Sequence, residues 1–126
     1  MADTVPHARL SHSGALKALN AAVRRAGEVS AAGVAAVTDD SGRLLAFVRL
    51  DGSSSLSADI AVDRATRAAA LGTATGGEGD PLGPGGLPVF LDGGLVGAIG
   101  IDTGDAPLDL DIARTALAAL PGATEA

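Results

Sequence analysis

The densest set of side chains that could do chemistry lies near the middle of the chain. It combines arginines with carboxylates in a short stretch: Arg49, Asp51, Asp59, Asp63, Arg64 and Arg67. Residues three and four positions apart share one face of a helix, so Arg64 and Arg67 should project together. Paired guanidinium groups suit a ligand that carries carboxylates or phosphates. We therefore predict Arg49, Arg64 and Arg67 as ligand-binding residues; the alternative is an exposed ladder of ion pairs along the helix.

Carboxylates near the ends of predicted strands could act as general acids or bases. Asp51 follows a strand directly and precedes Gly52, where a loop can present a carboxylate into a pocket. If the chain is an enzyme, we predict Asp51, Asp59 and Asp102 as catalytic, with Arg49 or Arg64 stabilising negative charge that develops during the reaction. The alternative for Asp51 is an ordinary Asp-Gly turn. Asp39 and Asp40 are expected to be solvated at a hairpin tip.

Metal ligands are scarce in this sequence. It has no cysteine, one methionine and two histidines, His7 and His12. Neither histidine lies in a His-x-x-x-His or Glu-x-x-His pattern, which are the spacings that place two ligands on one helix face. We therefore predict no metal site.

Composition excludes some partners. Nine Lys and Arg against fifteen Asp and Glu give a net charge of −6, the wrong sign for a surface that neutralises a phosphate backbone. Aromatic residues make up 2% of the chain, so platforms on which bases could stack are largely missing. We predict no nucleic-acid and no membrane partner. A hydrophobic content of 47% without an apolar run long enough to span a membrane predicts a globular, cytoplasmic protein.

Apolar spacing and turn residues predict the elements that position these side chains. Two hairpins, each preceded by a helix, and a closing helix give the order α-β-β-α-β-β-α, which predicts an α+β fold with an antiparallel sheet. A flexible arm over 1–10 and a tail over 121–126 should flank a single domain at 11–120. The predicted helices span 12–26, 55–71 and 108–120, the strands 33–37, 44–49, 87–91 and 95–101, and a glycine-rich loop 72–86.

The order of several motifs resembles the GlcG/HbpS-like family, described as heme-degrading or heme-binding domains and also found as the C-terminal domain of PduO-type corrinoid adenosyltransferases. The resemblance covers about residues 10–120. It is carried by the segments Leu45-Ala-Phe-Val-Arg-Leu-Asp-Gly52, Asp59-Ile-Ala61 with Arg64-Ala65, Gly85-Gly-Leu-Pro88, Asp92-Gly93, Val96-Gly-Ala-Ile-Gly-Ile101 and Asp109-x-x-Ile-Ala113.

The resemblance implies a profilin-like antiparallel sheet of about four to five strands flanked by three helices. It also implies a homo-oligomer with ligand pockets near subunit contacts, and heme or a related tetrapyrrole as the cofactor. His12, at the start of the first helix, is then our axial ligand; its alternative is an ordinary surface position. The family tends to have Lys at position 64, Thr at 67 and Ser at 102, and a longer segment before Gly85.

Three functions of different classes follow. The first is a small-ligand binding protein for heme or another anionic, largely apolar metabolite, held in an oligomer pocket. The second is an enzyme that uses acid–base catalysis on a small biosynthetic metabolite, of the isomerase, cyclase or hydratase type. It is favoured by the positions where the chain departs from the family. The third is a non-catalytic accessory protein in an oligomer.

Overall fold

The computed structural model describes residues 1–126 and confirms the predicted order of elements. Four strands form one antiparallel sheet in the spatial order β2-β1-β4-β3. The β1–β2 hairpin and the β3–β4 hairpin therefore pair with each other through β1 and β4. The elements are α1 His12–Glu28, β1 Val34–Asp39, β2 Leu44–Arg49, α2 Ser55–Leu71, β3 Gly86–Leu91, β4 Gly94–Asp102 and α3 Ala106–Ala118.

Each helix begins at a side chain that caps it. The Ser11 hydroxyl accepts from the Gly14 amide before α1, and the Ser54 hydroxyl accepts from the Ser57 amide before α2. The sequence predicts the start of α3 at residue 108, two residues later than the structure shows. Asp105 caps this helix, and a proline is tolerated in a first helical turn because no amide is needed there. The chain is therefore already helical from Ala106.

Helices cover both faces of the sheet, and the two faces are packed differently. The α1 and α3 helices enclose the main core, whose largest fully buried side chains include Leu87, Ile99 and Ile101. The α2 helix packs on the other face through Ala61, Ala65, Ala68 and Ala69. Because alanine side chains are small, the backbone of α2 lies close to the sheet.

Gly100 of β4 marks the closest approach of α2 to the sheet. A Cβ atom at this position would lie 2.0 Å from the carbonyl oxygen of Ala61. Only glycine leaves room for the helix backbone there. The position of α2, and of the arginines that it carries, therefore depends on Gly100.

The sequence predicts that Asp39 and Asp40 are solvated at the tip of the β1–β2 hairpin, and this prediction is wrong for Asp39. This residue ends β1 and is buried, and its carboxylate accepts from the amides of Ser41 and Arg43 at 2.8 and 3.1 Å. Asp40 is partly buried beside the N-terminal segment. No helix of the structure is long and apolar enough to cross a membrane.

Candidate functional site

The two predicted arginines of α2 lie on one flank of the helix, and both contact the glycine-rich loop. Arg64 Nε donates to the carbonyl oxygen of Leu82 at 2.7 Å, and Arg67 Nη1 donates to Asp80 at 3.2 Å. The Asp80 carboxylate also accepts from the amides of Gly76 and Leu82, at 2.9 and 3.0 Å. These amides, and then Arg67, lower the pKa of Asp80. Both arginines therefore fasten the loop to α2.

Arg64 is also the centre of a buried ion cluster. Its Nη1 donates to the Ile101 carbonyl at 2.7 Å, to Asp102 at 3.1 Å and to Asp109 at 3.0 Å. The side chains of Arg64, Asp102 and Asp109 are 9%, 7% and 1% exposed. Buried charges need such partners, because an unpaired one is very costly. The ion pairs of Arg64 with Asp102 and Asp109 thus join α2, β4 and α3.

Asp109 is the member of this cluster that the sequence did not identify as a site residue. Burial raises its pKa, although the Thr103 hydroxyl and amide and the Arg64 guanidinium act in the opposite direction. It belongs to the Asp109-x-x-Ile-Ala113 motif. The separation of 45 residues from Arg64 gives no local signal that the two side chains meet.

The remaining residues predicted around α2 are exposed. Arg49 lies on the edge strand β2, Asp51 in the turn after it, and Asp59 on the outer side of α2. Because Val34 pairs with both Arg49 and Asp102, these two residues occupy one row of the sheet, on the face towards α2. No hydrogen bond or ion pair joins Asp51, Asp59 and Asp102. Their catalytic role stays a prediction.

A groove of about 780 Å³ lies at the other end of the sheet. Its walls come from the N-terminal segment, the start of α1, the β3–β4 hairpin and the turn after α3. The polar residues are His7, Arg9, Ser11, Lys17 and Asp92, and the larger apolar residues are Leu10, Leu91, Leu95, Val96 and Leu120. This is the largest cavity of the structure, and it combines an imidazole, two cations and an apolar wall.

Specific contacts hold the N-terminal segment in place as one wall of this groove. The Leu10 amide donates to the Val96 carbonyl at 2.9 Å, and the Leu10 side chain is buried. His7 Nε2 contacts Asp40 Oδ2, and Arg9 Nε lies 3.4 Å from Asp40 Oδ1. The contact with His7 lowers the pKa of Asp40. Asp40 thus anchors the segment to the β1–β2 turn.

The two histidines occupy different places. His7 lines the groove, whereas His12 is exposed in the first turn of α1 and lies outside the lining. The sequence favoured His12 because a helix positions a side chain better than an arm does. The long-range contact between His7 and Asp40, 33 residues apart, has no local signal. No group of three or more His, Asp or Glu side chains is arranged to hold a metal ion.

Comparisons with known proteins identify the fold and a family. The family model described as haem degrading protein HbpS-like matches residues 10–118. The crystal structure of a PduOC:heme complex is 27% identical, with a TM-score of 0.85 over 93% of this chain and 98% of that chain. A double mutant of Streptomyces reticuli HbpS is also 27% identical, with a TM-score of 0.85 over 95% and 92%.

A further structure supports the fold alone. Klebsiella pneumoniae protein ORFY is 24% identical, with a TM-score of 0.86 over 95% of this chain and 96% of that chain. The search of curated proteins found no match.

Proposed function

Since this chain belongs to the HbpS-like family of haem degrading proteins, we propose that it binds heme in the groove between its N-terminal segment and the β3–β4 hairpin. The observation that carries the proposal is the combination of groups in that one cavity. A volume of about 780 Å³ also lies within the range typical of small-molecule and cofactor sites.

The residues of the groove match the three parts of a heme molecule. The macrocycle is flat and apolar, and the leucines and Val96 offer it a hydrophobic wall. Its two propionates need cationic partners, and Arg9 and Lys17 are exposed at the groove. Imidazole is one of the side chains that hold heme iron in proteins, and His7 would be the residue that holds it here. The groove therefore fits the group.

Asp40 would orient the proposed ligand His7. It contacts Nε2 of the imidazole and so holds the ring at the wall of the groove. A carboxylate on the second nitrogen of a metal-bound imidazole fixes the ring and increases its basicity. Bound heme would supply an iron centre, whose reactivity depends on this ligand and on the polarity of the pocket.

The α2 arginines are the alternative location for the ligand. Their guanidinium groups are already used within the chain, by the loop and by the buried carboxylates. A propionate at Arg64 would have to displace one of these partners. In the groove, Lys17 forms no ion pair and Arg9 is largely exposed, so a propionate could reach them without opening a buried ion cluster. This difference favours the groove over the site predicted from Arg49, Arg64, Arg67 and His12. A pocket at a subunit contact stays a prediction.

Amide hydrogen exchange with and without hemin distinguishes the two locations. Binding in the groove should slow exchange in residues 6–11 and 91–96, because these segments form its walls. Exchange in α2 and the loop at 72–86 should change little. Protection confined to α2 and that loop would move the site to the arginines, and unchanged exchange throughout at saturating hemin would contradict binding in either place.

A further inference from the structure

The groove carries charges of opposite sign on its two sides. Arg9 and Lys17 come from the N-terminal segment and α1, and Asp92 comes from the turn between β3 and β4. All three side chains are exposed. Neither Lys17 nor Asp92 forms an ion pair within the chain. The groove therefore offers both an unpaired cation and an unpaired carboxylate to a molecule that occupies it.

The fold keeps these charges apart. The α1 helix packs against β1 and β2, whereas α3 packs against β4 and β3. Arg9 lies beside Asp40 in the β1–β2 turn, and Asp92 lies in the β3–β4 turn at the same end of the sheet. The strand order β2-β1-β4-β3 separates the centres of the two turns by two strand spacings, or about 10 Å. The cations and the carboxylate therefore lie on opposite sides of the groove.

The β3–β4 turn holds Asp92 in a defined position. Asp92 and Gly93 have φ angles of 52° and 79°, and Leu91 pairs with Gly94 across them. Positive φ at both central residues is typical of a type I′ turn, a common connection in antiparallel hairpins. Aspartate and asparagine adopt positive φ more readily than most other residues. Asp92→Asn can therefore remove the charge and keep the turn.

We propose that Asp92 restricts the groove to tetrapyrroles whose carboxylates lie along one edge of the macrocycle. This inference rests on the proposed function and names the class of ligand that the same groove takes. Hemin belongs to this class, because its two propionates are neighbours on one edge. Iron coproporphyrin III does not, because two further propionates replace the vinyl groups on the other half of the ring. The two molecules share the same iron and the same macrocycle.

The charges of the groove act on the two edges of such a ligand in opposite ways. Arg9 and Lys17 attract propionates to their side of the groove. Asp92 then faces the other edge, beside the apolar side chains of Leu91 and Leu95. That edge is uncharged in hemin, whereas in iron coproporphyrin III it carries propionates that Asp92 repels. Repulsion between exposed charges of this kind should weaken affinity about twofold to fivefold.

Equilibrium titrations of both porphyrins with the wild type, Asp92→Asn and Glu78→Gln test the proposal. Asp92→Asn should tighten the binding of iron coproporphyrin III about twofold to fivefold and change the binding of hemin less than about twofold. Glu78→Gln removes the same charge from an exposed position outside the groove and should behave like the wild type. The two porphyrins also differ in apolar surface, so the decisive quantity is the change between variants in the ratio of their dissociation constants.

Ionic strength provides a readout that a purely structural role of Asp92 would not move. At about 1 M salt the Debye length falls to about 3 Å, which screens the interaction between exposed charges. The ratios of dissociation constants for the wild type and for Asp92→Asn should differ at low salt and converge at high salt. A difference that persists unchanged at high salt would show that the substitution acts through the turn and not through its charge.

The outcomes for this inference and for the proposed function are separable. The inference is overturned if the wild type and Asp92→Asn have the same ratio at low salt, if Glu78→Gln changes the ratio as much as Asp92→Asn does, or if the difference does not depend on salt. In each of these cases hemin still binds, so the proposed function stands. If neither porphyrin binds the wild type saturably, the proposed function fails, and the inference fails with it.

Discussion

The guanidinium group of Arg64 in α2 donates to the carboxylate of Asp109 in α3 across 3.0 Å, with both side chains buried. These helices lie on opposite faces of the sheet. The contact therefore joins the two helical layers past the end of β4, where Arg64 also binds the Ile101 carbonyl. One side chain thus ties together α2, β4, α3 and the glycine-rich loop.

Loss of Arg64 should be far more costly than loss of its neighbour Arg67. Arg64→Met leaves the carboxylates of Asp102 and Asp109 buried without their cation, which should lower the free energy of unfolding by about 3–5 kcal/mol. Arg67→Met removes a partly exposed ion pair with Asp80 and should cost less than about 1 kcal/mol. Urea denaturation of both variants checks this, and equal losses would contradict the structural role of the cluster.

The carboxyl group of Asp80 should titrate below its ordinary pKa of 3.8. The amides of Gly76 and Leu82 and the charge of Arg67 favour its ionised form. The resulting stabilisation of the loop is fully present above the unfolded-state pKa. It is lost as the pH falls through the lowered folded-state pKa. An NMR titration of the side-chain carboxyl carbon measures the midpoint, and a value of 3.8 or higher would contradict the contacts.

Two neutral substitutions in the same loop, Asp80→Asn and Glu78→Gln, show whether the Asp80 carboxylate holds the loop amides. Gly76 and Leu82 donate to different oxygens of the Asp80 carboxylate. Asp80→Asn replaces one of these oxygens with an NH2 group, so at least one of the two amides loses its acceptor and should exchange faster. Glu78→Gln changes an exposed carboxylate for which the structure shows no hydrogen bond, and it should leave these two amides unchanged.

Gly100→Ala should destabilise the fold strongly. The new Cβ atom would lie 2.0 Å from the Ala61 carbonyl oxygen, and α2 would have to move away from the sheet. Overpacking of this kind costs about 1–3 kcal/mol or more. Gly77→Ala is the matched control, because nothing lies within 4 Å of its Cβ position. Thermal unfolding should show a clear loss for the first variant and none for the second.

Local patterns in the sequence predict the elements and their order. Ser11 and Ser54 are typical helix caps, and the Asp92-Gly93 turn between apolar runs indicates a hairpin. The α2 helix spans 55–71 as predicted. Its arginine stripe follows from helical spacing alone, and the structure places both residues on one flank of the helix, facing the loop.

Long-range contacts are the part that the sequence could not supply. Spacing shows that Arg64 and Arg67 share a flank, but not that a loop contacts that flank. In the same way, nothing near His7 in the sequence indicates that it meets Asp40 and lines the groove. Such contacts depend on how complete elements pack, and a single sequence carries no record of these pairs.

A cationic residue of the groove should contribute to hemin affinity. Lys17 lines the groove and forms no ion pair within the chain. Lys17→Glu replaces an attraction to a propionate with a repulsion, so the dissociation constant for hemin should rise about threefold to tenfold. Arg24→Glu, on the same helix but outside the groove, should leave it unchanged. Equal affinities for the two variants in an equilibrium titration would contradict the role of Lys17.

The most direct test of heme binding in the groove is a hemin titration followed from 350 to 450 nm for the wild type, His7→Ala and His12→Ala. We predict a saturable Soret shift with one hemin per chain for the wild type and for His12→Ala, and a lost or displaced band for His7→Ala. A titration of the wild type without a saturable shift would contradict heme binding. A band that depends on His12 and not on His7 would contradict the groove as its site.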